Sequence, residues 1–174
     1  VDLWVSDQAA AIEIYGHISN WDTSAVTDMS SLFDGTRNTL MSTFDSDISS
    51  WNVSNVTTMR RMFKHAQVFN QDISGWDVSS VIDISSMFNV ARAFNQDISG
   101  WDVSNVTDMG GMFNNAQAFN QPIGIWNVSN VTSMAFTFYN AMAFNQDLSF
   151  WDVSSVNTFR AMFEYGYYGQ LGTP

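Results

Sequence analysis

Acidic side chains recur at fixed positions along this chain of 174 residues, and carboxylates in such columns are the groups that could do chemistry. One column consists of Asp47, Asp72, Asp97 and Asp147, and a second of Asp28, Asp83 and Asp108. Stacked carboxylates could collect Ca²⁺, and a pair facing a sugar could hydrolyse a glycosidic bond. The chain lacks the D-x-D-x-D-G pattern of a calcium loop, and a repeated environment does not separate an acid from a base. We therefore predict that these carboxylates accept backbone N–H groups at helix starts.

The other residue types that commonly carry catalysis or bind metals are scarce. The chain has no Cys, and therefore no disulfide, thiolate metal site or Cys nucleophile. Its two histidines, His17 and His65, lie far apart in the repeat pattern, whereas a zinc site needs several convergent ligands. The sequence predicts a protein that is not an enzyme and that needs no cofactor and no metal.

Composition and charge argue against further classes. Apolar residues make up 45% of the chain, which is typical of a folded domain rather than a disordered tail. A net charge of −11 with only six Lys and Arg argues against a nucleic-acid partner. No apolar run approaches the ~18 residues of a membrane helix, and no signal-peptide pattern opens the chain. We expect neither nucleic-acid binding nor membrane insertion.

The elements that must position these side chains are repeats marked by tryptophan. The repeats begin at Trp21, Trp51, Trp76, Trp101, Trp126 and Trp151. After a first interval of 30 residues the spacing is 25 residues, with Val, Met and Phe at constant distances behind each Trp. A fixed period of this length is typical of a solenoid, whose units bury their apolar faces against their neighbours. A further column, Asn70, Asn95, Asn120 and Asn145, is expected to bond backbone groups of the loops.

Two periodicities lie within one repeat. Trp76, Asp77 and Val78 alternate between apolar and polar, which predicts a short half-buried strand. The spacing of Ile84, Met87, Phe88 and Ala91 is that of the apolar stripe of a short helix. Parallel strands stack more closely than packed helices do, so the array should curve. The expected fold class is α/β, a leucine-rich-repeat-like solenoid with short parallel strands on the concave side and short helices on the convex side.

The pattern predicts a single solenoid domain over residues 1–174. Residues 1–20 form an N-terminal helical cap, with a helix over 6–15 that Ser6 caps and Gly16 ends. Residues 21–163 are six repeats, the first of which carries five extra residues in a bulging loop within Asp34–Thr43. Residues 164–174 form an irregular tail without a capping helix, which makes that end a candidate surface for self-association.

The string FNQDISGWDVSNVTDMGGMF, residues 94–113, resembles the repeat of the BspA-like leucine-rich-repeat surface proteins. The resemblance covers about residues 14–163. Ile73, Trp76, Val78 and Val81 match the spacing I-x-x-W-x-V-x-x-V, although Val stands where leucine-rich repeats have their Asn. The resemblance implies a curved solenoid at the cell surface that serves adhesion or recognition. It supplies no ligand and no catalytic residue that could be transferred to this chain.

Small polar residues that alternate with the inward Trp and Val form the candidate binding surface. They are Asp22, Ser24, Asn52, Ser54, Asp77, Ser79, Asp102, Ser104, Asn127, Ser129, Asp152 and Ser154. On a concave strand face these acceptors and hydroxyls would suit a glycan or a polar loop of a partner. The alternative is that they only solvate the sheet and form Asx or Ser turns.

The position just before each Trp supplies two more candidate residues. This column runs through Asn20, Ser50, Gly75, Gly100, Ile125 and Phe150. Its last two members are large and apolar on a column expected to face outward, so Ile125 and Phe150 could anchor a partner. The alternative is sequence drift near the end of the array.

Five N-glycosylation sequons begin at Asn52, Asn55, Asn105, Asn127 and Asn130, all within the repeat phrase W-N/D-V-S-N-V-T. The phrase itself explains them as by-products of repetition. Glycans on Asn52 or Asn127 would block the candidate binding surface.

The sequence as a whole predicts an extracellular or cell-surface recognition module that binds a protein or a glycan through its concave face. The alternative is a structural subunit of a surface fibre or filament that assembles through the weakly capped C-terminal end.

Overall fold

Regular secondary structure is confined to short pieces in the computed structural model, which describes residues 1–165. Helix α1 spans Asp2–Ser6 and helix α2 spans Gln8–Tyr15. Three 3₁₀ helices follow, at Ile18–Asn20, Thr39–Thr43 and Ile123–Ile125. None of the helices in this part of the chain is long and apolar enough to cross a bilayer. Most of the predicted tail, residues 166–174, lies outside the described residues.

The predicted α/β fold class is wrong. Over residues 1–165 the repeats contain no strand and no α-helix, so there is neither a concave strand face nor a convex helical face. Successive repeats are joined instead by single parallel bridges, which pair Asp28 with Thr58, Thr58 with Asp83, Asp83 with Asp108, Asp108 with Ser133, and Ser133 with Thr158. We call the repeats coils 1 to 6, beginning at residues 21, 51, 76, 101, 126 and 151. They form a stack of turns.

The expected helix fails because the backbone N–H groups of each coil alternate between two kinds of acceptor. In coil 2, residues 59, 61, 63 and 65 donate to carbonyls of coil 3 at 2.7–3.0 Å. Met62, Lys64 and Ala66, which alternate with the last of these residues, donate to the carbonyl three positions back. Arg61 and His65 adopt positive φ angles of 58°, which an α-helix does not allow. An apolar stripe at helical spacing is therefore produced here by consecutive turns.

The expected strand fails because the backbone around each Trp is bonded locally. In coil 3, the side chain of Asp77 accepts the Ser79 N–H at 3.1 Å, and the Val81 N–H donates to the Val78 carbonyl at 2.9 Å. These groups are then unavailable for a ladder between coils. The alternation of buried and exposed side chains survives, since Trp76 and Val78 are buried and Asp77 is exposed.

Aromatic rings run through the interior of the stack in two columns. Phe63 lies parallel to Phe88 of the next coil, with centroids 5.6 Å apart, and it stacks on Phe69 of its own coil at 4.0 Å. The same contacts recur in the neighbouring coils. In coils 3 to 6 the buried indole N–H donates to a carbonyl of the preceding coil, as Trp101 does to Ile73 at 3.1 Å. In coil 2 the N–H of Trp51 donates to the Ile18 carbonyl, ahead of coil 1, at 2.8 Å. Packing and hydrogen bonding together fix the register of the coils.

The first residues close the N-terminal end of the stack. Asp7, rather than Ser6, caps α2 by accepting the Ala10 N–H, and Gly16 ends the helix with a φ of 73°. The Gly16 carbonyl accepts the indole N–H of Trp21 at 3.2 Å. Carbonyls of residues 1–20 therefore serve Trp21 and Trp51, as a preceding coil serves the tryptophans of coils 3 to 6.

Candidate functional site

The candidate binding residues form one row of side chains, which we call the Asx–Ser row: Asp22 and Ser24, Asn52 and Ser54, Asp77 and Ser79, Asp102 and Ser104, Asn127 and Ser129, Asp152 and Ser154. All six Asp or Asn side chains are exposed, and five of the six Ser residues are half-buried, whereas Ser154 is exposed. Since residues 1–165 form no sheet, the row is not a strand face. It is a line of turns, one on each coil.

Each pair of the row is an Asx turn, in which Oδ1 of the acid or amide accepts the N–H of the Ser two residues on. The distances lie between 3.0 and 3.2 Å in all six coils. In four coils the Ser hydroxyl also donates to the same oxygen at 2.6–2.8 Å. One oxygen or nitrogen of each side chain therefore remains directed away from the turn.

The coils hold successive turns of the row in register. Asn55 Nδ2 donates to the Ser24 carbonyl of coil 1 at 2.8 Å, and Asn105 and Asn130 bond Ser79 and Ser104 of the coils before them in the same way. The sequence pattern did not predict these bridges. Three of the five sequon amides are thus bonded between coils, while Asn52 and Asn127 belong to the Asx turns.

The carboxyl groups of the row share one electrostatic environment. The paired Ser, first through its side chain and then through its backbone N–H, lowers the pKa of Asp22, Asp77, Asp102 and Asp152. All four are therefore ionised at neutral pH. No member of the row is set apart as a proton donor, so the arrangement offers fixed acceptors rather than an acid–base pair.

The acidic columns also close turns, not helix ends. Asp47, Asp72, Asp97 and Asp147 accept the N–H of the Ser two positions on at 2.8–2.9 Å, and these bonds lower their pKa. Asp28, Asp83 and Asp108 accept N–H groups in the same way at 2.7–2.8 Å. The predicted acceptance of backbone N–H groups is observed, but the predicted place at helix starts is wrong because these turns do not begin an α-helix. Across residues 1–165, no three His, Asp or Glu side chains converge as a metal site would require.

A second ladder of amides joins the loops. Each Asn of the column accepts the N–H of the Asn one coil later at 2.9 Å, from Asn70 to Asn120, with Asp45 as the first acceptor. The Gln that follows each Asn donates to a loop carbonyl of the preceding coil. The Asn bonds match the sequence prediction. The Gln bonds were missed, although Gln follows Asn in four consecutive coils.

The two apolar candidates are among the most exposed side chains of the described chain. Ile125 is 75% exposed at the end of a 3₁₀ helix, and Phe150 is 82% exposed at the same position of the next coil. Each stands two residues before a member of the row, Asn127 and Asp152 respectively. The structure therefore places an apolar pair beside the polar row.

A cleft that the sequence pattern did not predict lies at the N-terminal end of the stack. Its volume is about 680 Å³, and it is lined by Val1, Asp2, Leu3, Tyr15, Asn20, Trp21 and Asp22. The row begins at its wall, since Asp22 belongs to both. A repeat pattern cannot reveal such a site, because Tyr15 and residues 1–3 lie outside the repeats.

A family model described as "Mycoplasma protein of unknown function, DUF285" matches residues 5–109 and 96–168. No curated protein and no solved structure is significantly similar to the chain. The match supports the coarser part of the resemblance drawn from the repeat phrase, which is kinship with a family of repeat proteins. Because the two matched segments cover most of its length, the chain belongs to the DUF285 family.

Proposed function

We propose that this chain is a non-enzymatic recognition module, secreted or held at a cell surface, that binds a protein or a glycan. The Asx–Ser row and the neighbouring Ile125 and Phe150 are its contact surface. The observation that carries the proposal is the repetition of one exposed Asx turn on six coils held in register.

The physical support is preorganisation. The acceptors of the row are fixed by hydrogen bonds within the turn and between coils, so a ligand need not order them when it binds. Polar groups at a constant spacing match a partner that itself repeats, such as a glycan or an extended polar loop. The resemblance of the repeat phrase to BspA-like surface proteins supports an adhesive role and an extracellular location.

Binding should depend on the apolar pair. We expect the double variant Ile125→Gly with Phe150→Gly to bind at least about ten-fold more weakly, because exposed apolar side chains beside polar groups act as anchors. Glycine is compatible with this position, since Gly75 and Gly100 occupy it in coils 2 and 3 with open space around them. The measurements are a glycan array and a pull-down from cell-surface extracts.

The matched control is Ile82→Thr. Ile82 is also an exposed apolar residue, but it belongs to another column, in which Thr57, Thr107 and Thr132 are the usual residues. This variant should bind as the parent protein does. Equal binding by the parent and the double glycine variant would remove the apolar pair from the proposal.

A second candidate function is that of a structural subunit that self-associates through coil 6. Phe159 and Phe163 are 46% and 57% exposed, whereas the Met, Ile and Phe residues at the same positions in coils 1 to 5 are buried. No described residue accepts the backbone N–H groups of Phe159 and Phe163, although their counterparts in coils 2 to 5 bond the next coil. Light scattering that rises with concentration, and falls in a Phe159→Ser, Phe163→Ser variant, would favour this function.

A further inference from the structure

Trp21 differs from every later tryptophan of the repeat. The indoles of coils 2 to 6 are buried, but Trp21 is half-buried and lines the N-terminal cleft. One face of its ring stacks on Trp51, with centroids 6.4 Å apart and an interplanar angle of 16°. Its N–H is already bonded to the Gly16 carbonyl. What Trp21 offers to the cleft is therefore an aromatic surface and not a hydrogen-bond donor.

Two other aromatic rings stand upright beside this surface. Tyr15 and Trp4 meet Trp21 edge to face, with centroids 6.1 and 6.2 Å away and interplanar angles of 76° and 81°. Tyr15 is 62% exposed and lines the cleft. Trp4 is buried and does not line the cleft, so the corner open to a ligand is formed by Trp21 and Tyr15, where a flat, partly apolar ligand ring would contact aromatic carbon atoms on two sides.

Polar groups of the cleft are available at its rim. Oδ1 of Asp22 is taken by Ser24, but within residues 1–165 no group bonds its Oδ2 or the side-chain amide of Asn20. The cleft thus presents a carboxylate acceptor and an amide that both donates and accepts. Asp2 contributes little free charge, because Arg37 and Asn38 bond its two carboxylate oxygens at 2.8 Å.

A pyranose ring has the complementary chemistry. One face of such a ring carries C–H groups that pack on an aromatic surface, and its hydroxyls both donate and accept hydrogen bonds. The volume of about 680 Å³ lies within the range of ordinary ligand sites. An organic cation is the competing class of ligand, because Asp22 is the one uncompensated carboxylate of the lining and aromatic rings attract cations, so the test includes a cation.

We propose that the N-terminal cleft binds a neutral saccharide, with one pyranose ring stacked on Trp21 and its hydroxyls bonded by Asp22 and Asn20. The inference rests on the proposed recognition function and deepens it by naming the class of ligand. Because Asp22 is also the first residue of the Asx–Ser row, further sugar units of a bound oligosaccharide extend along the row toward Asn52.

The test uses the chain of 174 residues and a panel of methyl glycosides of glucose, galactose, mannose and N-acetylglucosamine, with their disaccharides. Binding is measured by saturation-transfer NMR and titration calorimetry. Asp22→Asn removes the free acceptor but keeps the Asx turn, since Asn52 and Asn127 make the same turn. Tyr15→Ala removes an exposed ring. We expect each variant to weaken binding of the best sugar at least five-fold.

Asp147→Asn is the matched control, because it makes the same change in the same kind of turn, at an exposed residue outside the row and far from the cleft. It should leave sugar affinity unchanged, and the melting temperatures of all three variants should equal that of the parent. Trp21→Ala is avoided because it would also remove the stack on Trp51.

Three results would overturn the inference: no sugar of the panel binds, Asp147→Asn weakens binding as much as Asp22→Asn does, or tetramethylammonium binds the cleft and the sugars do not. The recognition function is tested separately by the Ile125 and Phe150 variant. If that variant loses a partner while no sugar enters the cleft, the inference fails and the proposed function stands. If sugars bind as expected but binding of a partner does not depend on Ile125 and Phe150, the proposal of a saccharide site in the cleft stands. The proposal that the apolar pair belongs to the contact surface then fails.

Discussion

At the scale of single residues, short polar side chains shape the coils. Around coil 3, Asp72, Asp77 and Asp83 each accept the backbone N–H of the residue two positions on, at 2.9, 3.1 and 2.8 Å. Each turn satisfies a donor that would otherwise need a strand or helix partner. Three such corners in about a dozen residues let the chain turn without regular secondary structure. The candidate binding residues are thus also structural residues.

This dual role gives a prediction for Asp77. Asp77→Ala removes the acceptor for Ser79 and should lower the free energy of unfolding by about 1 kcal/mol. Asp77→Asn should leave it nearly unchanged, because Asn52 and Asn127 close the same turn. Urea denaturation followed by circular dichroism measures both. Equal stability of the two variants would mean that the turn does not need its side-chain acceptor.

Gly124 shows how closely the coils approach. A Cβ atom added there would collide with the Asp147 carbonyl oxygen, whereas a Cβ at Gly100 would meet nothing within 4 Å. We expect Gly124→Ala to lower the free energy of unfolding by about 1–3 kcal/mol and Gly100→Ala to change it by no more than about 0.5 kcal/mol. Thermal denaturation compares the two, and a neutral Gly124→Ala would show that coils 4 and 5 can separate at this point.

At the scale of elements, the extra residues of coil 1 do more than bulge. They form the 3₁₀ helix Thr39–Thr43, which buries Met41, and they supply Arg37. The Arg37 guanidinium bonds the Ser31 and Leu32 carbonyls at 3.1 and 2.9 Å and forms an ion pair with Asp2 of α1 at 2.8 Å. Met62 occupies the position of Leu32 in coil 2, and its carbonyl accepts the backbone N–H of Phe33 in coil 1. Arg37 thus bonds a carbonyl of the kind that a preceding coil would otherwise bond. The longer first repeat therefore supplies the groups that close the end of the stack.

The ion pair gives this end a pH dependence. The hydrogen bond from Arg37 lowers the pKa of Asp2 below its ordinary 3.8. A lowered pKa in the folded state adds stability above the unfolded value, and that stability is lost as the pH falls through the folded value. Asp2→Asn should therefore cost about 0.2–1 kcal/mol at pH 7, since the pair is exposed.

The difference between Asp2→Asn and the parent should disappear at a pH well below 3.8, where both residue 2 side chains are neutral. Arg37→Gln is the control, because its bonds to two backbone carbonyls do not titrate, so its cost should persist in acid. Melting temperatures at several pH values measure both differences. A cost of Asp2→Asn that stays constant down to acid pH would contradict the assignment.

In coils 2 to 4 the repeat spacing was enough to predict which side chains are buried, although Trp21 and the column residues Val153, Phe159 and Phe163 of coil 6 are partly or largely exposed. It was not enough to predict the backbone. Ile84, Met87, Phe88 and Ala91 are all buried as the pattern required. The same spacing, however, fits an α-helix and a run of turns that donates every second N–H to the next coil. The choice depends on positive φ angles at Ser86 and Val90, which nothing in those residue types favours. Only the neighbouring coil, through its carbonyls, stabilises that conformation.

The candidate site divides in the same way. Exposure of the row and of Ile125 and Phe150 followed from alternation with buried neighbours. The cleft at Trp21 could not be predicted, because it requires α1 and α2 to pack beside coil 1, and such contacts leave no periodic signal. Asp22 appeared in the sequence pattern as one of six equivalent residues, and the cleft alone distinguishes it from the others.

At the scale of the whole molecule, each coil is stabilised mainly by its two neighbours. Phe88 stacks on Phe63 and Phe113 at 5.6 and 5.8 Å and on Phe94 at 3.9 Å, and it is fully buried. Phe163 occupies the same position in coil 6, where it stacks on Phe138 at 5.4 Å and is 57% exposed. Phe88 therefore has a ring of a neighbouring coil on each side. Among the described residues, Phe163 has such a ring on one side, that of Phe138.

Phe88→Ala and Phe163→Ala test this nearest-neighbour stabilisation directly. The first leaves a cavity between two coils and should lower the free energy of unfolding by about 3–5 kcal/mol, whereas the second should cost about 1 kcal/mol or less. Hydrogen exchange should show the loss of protection spreading from coil 3 into both neighbours in the first variant and remaining within coils 5 and 6 in the second, because stacked repeats couple locally. Equal costs for the two variants, or a uniform loss of protection along the chain, would mean that the molecule unfolds as one unit and that stacking between adjacent coils is not what limits its stability.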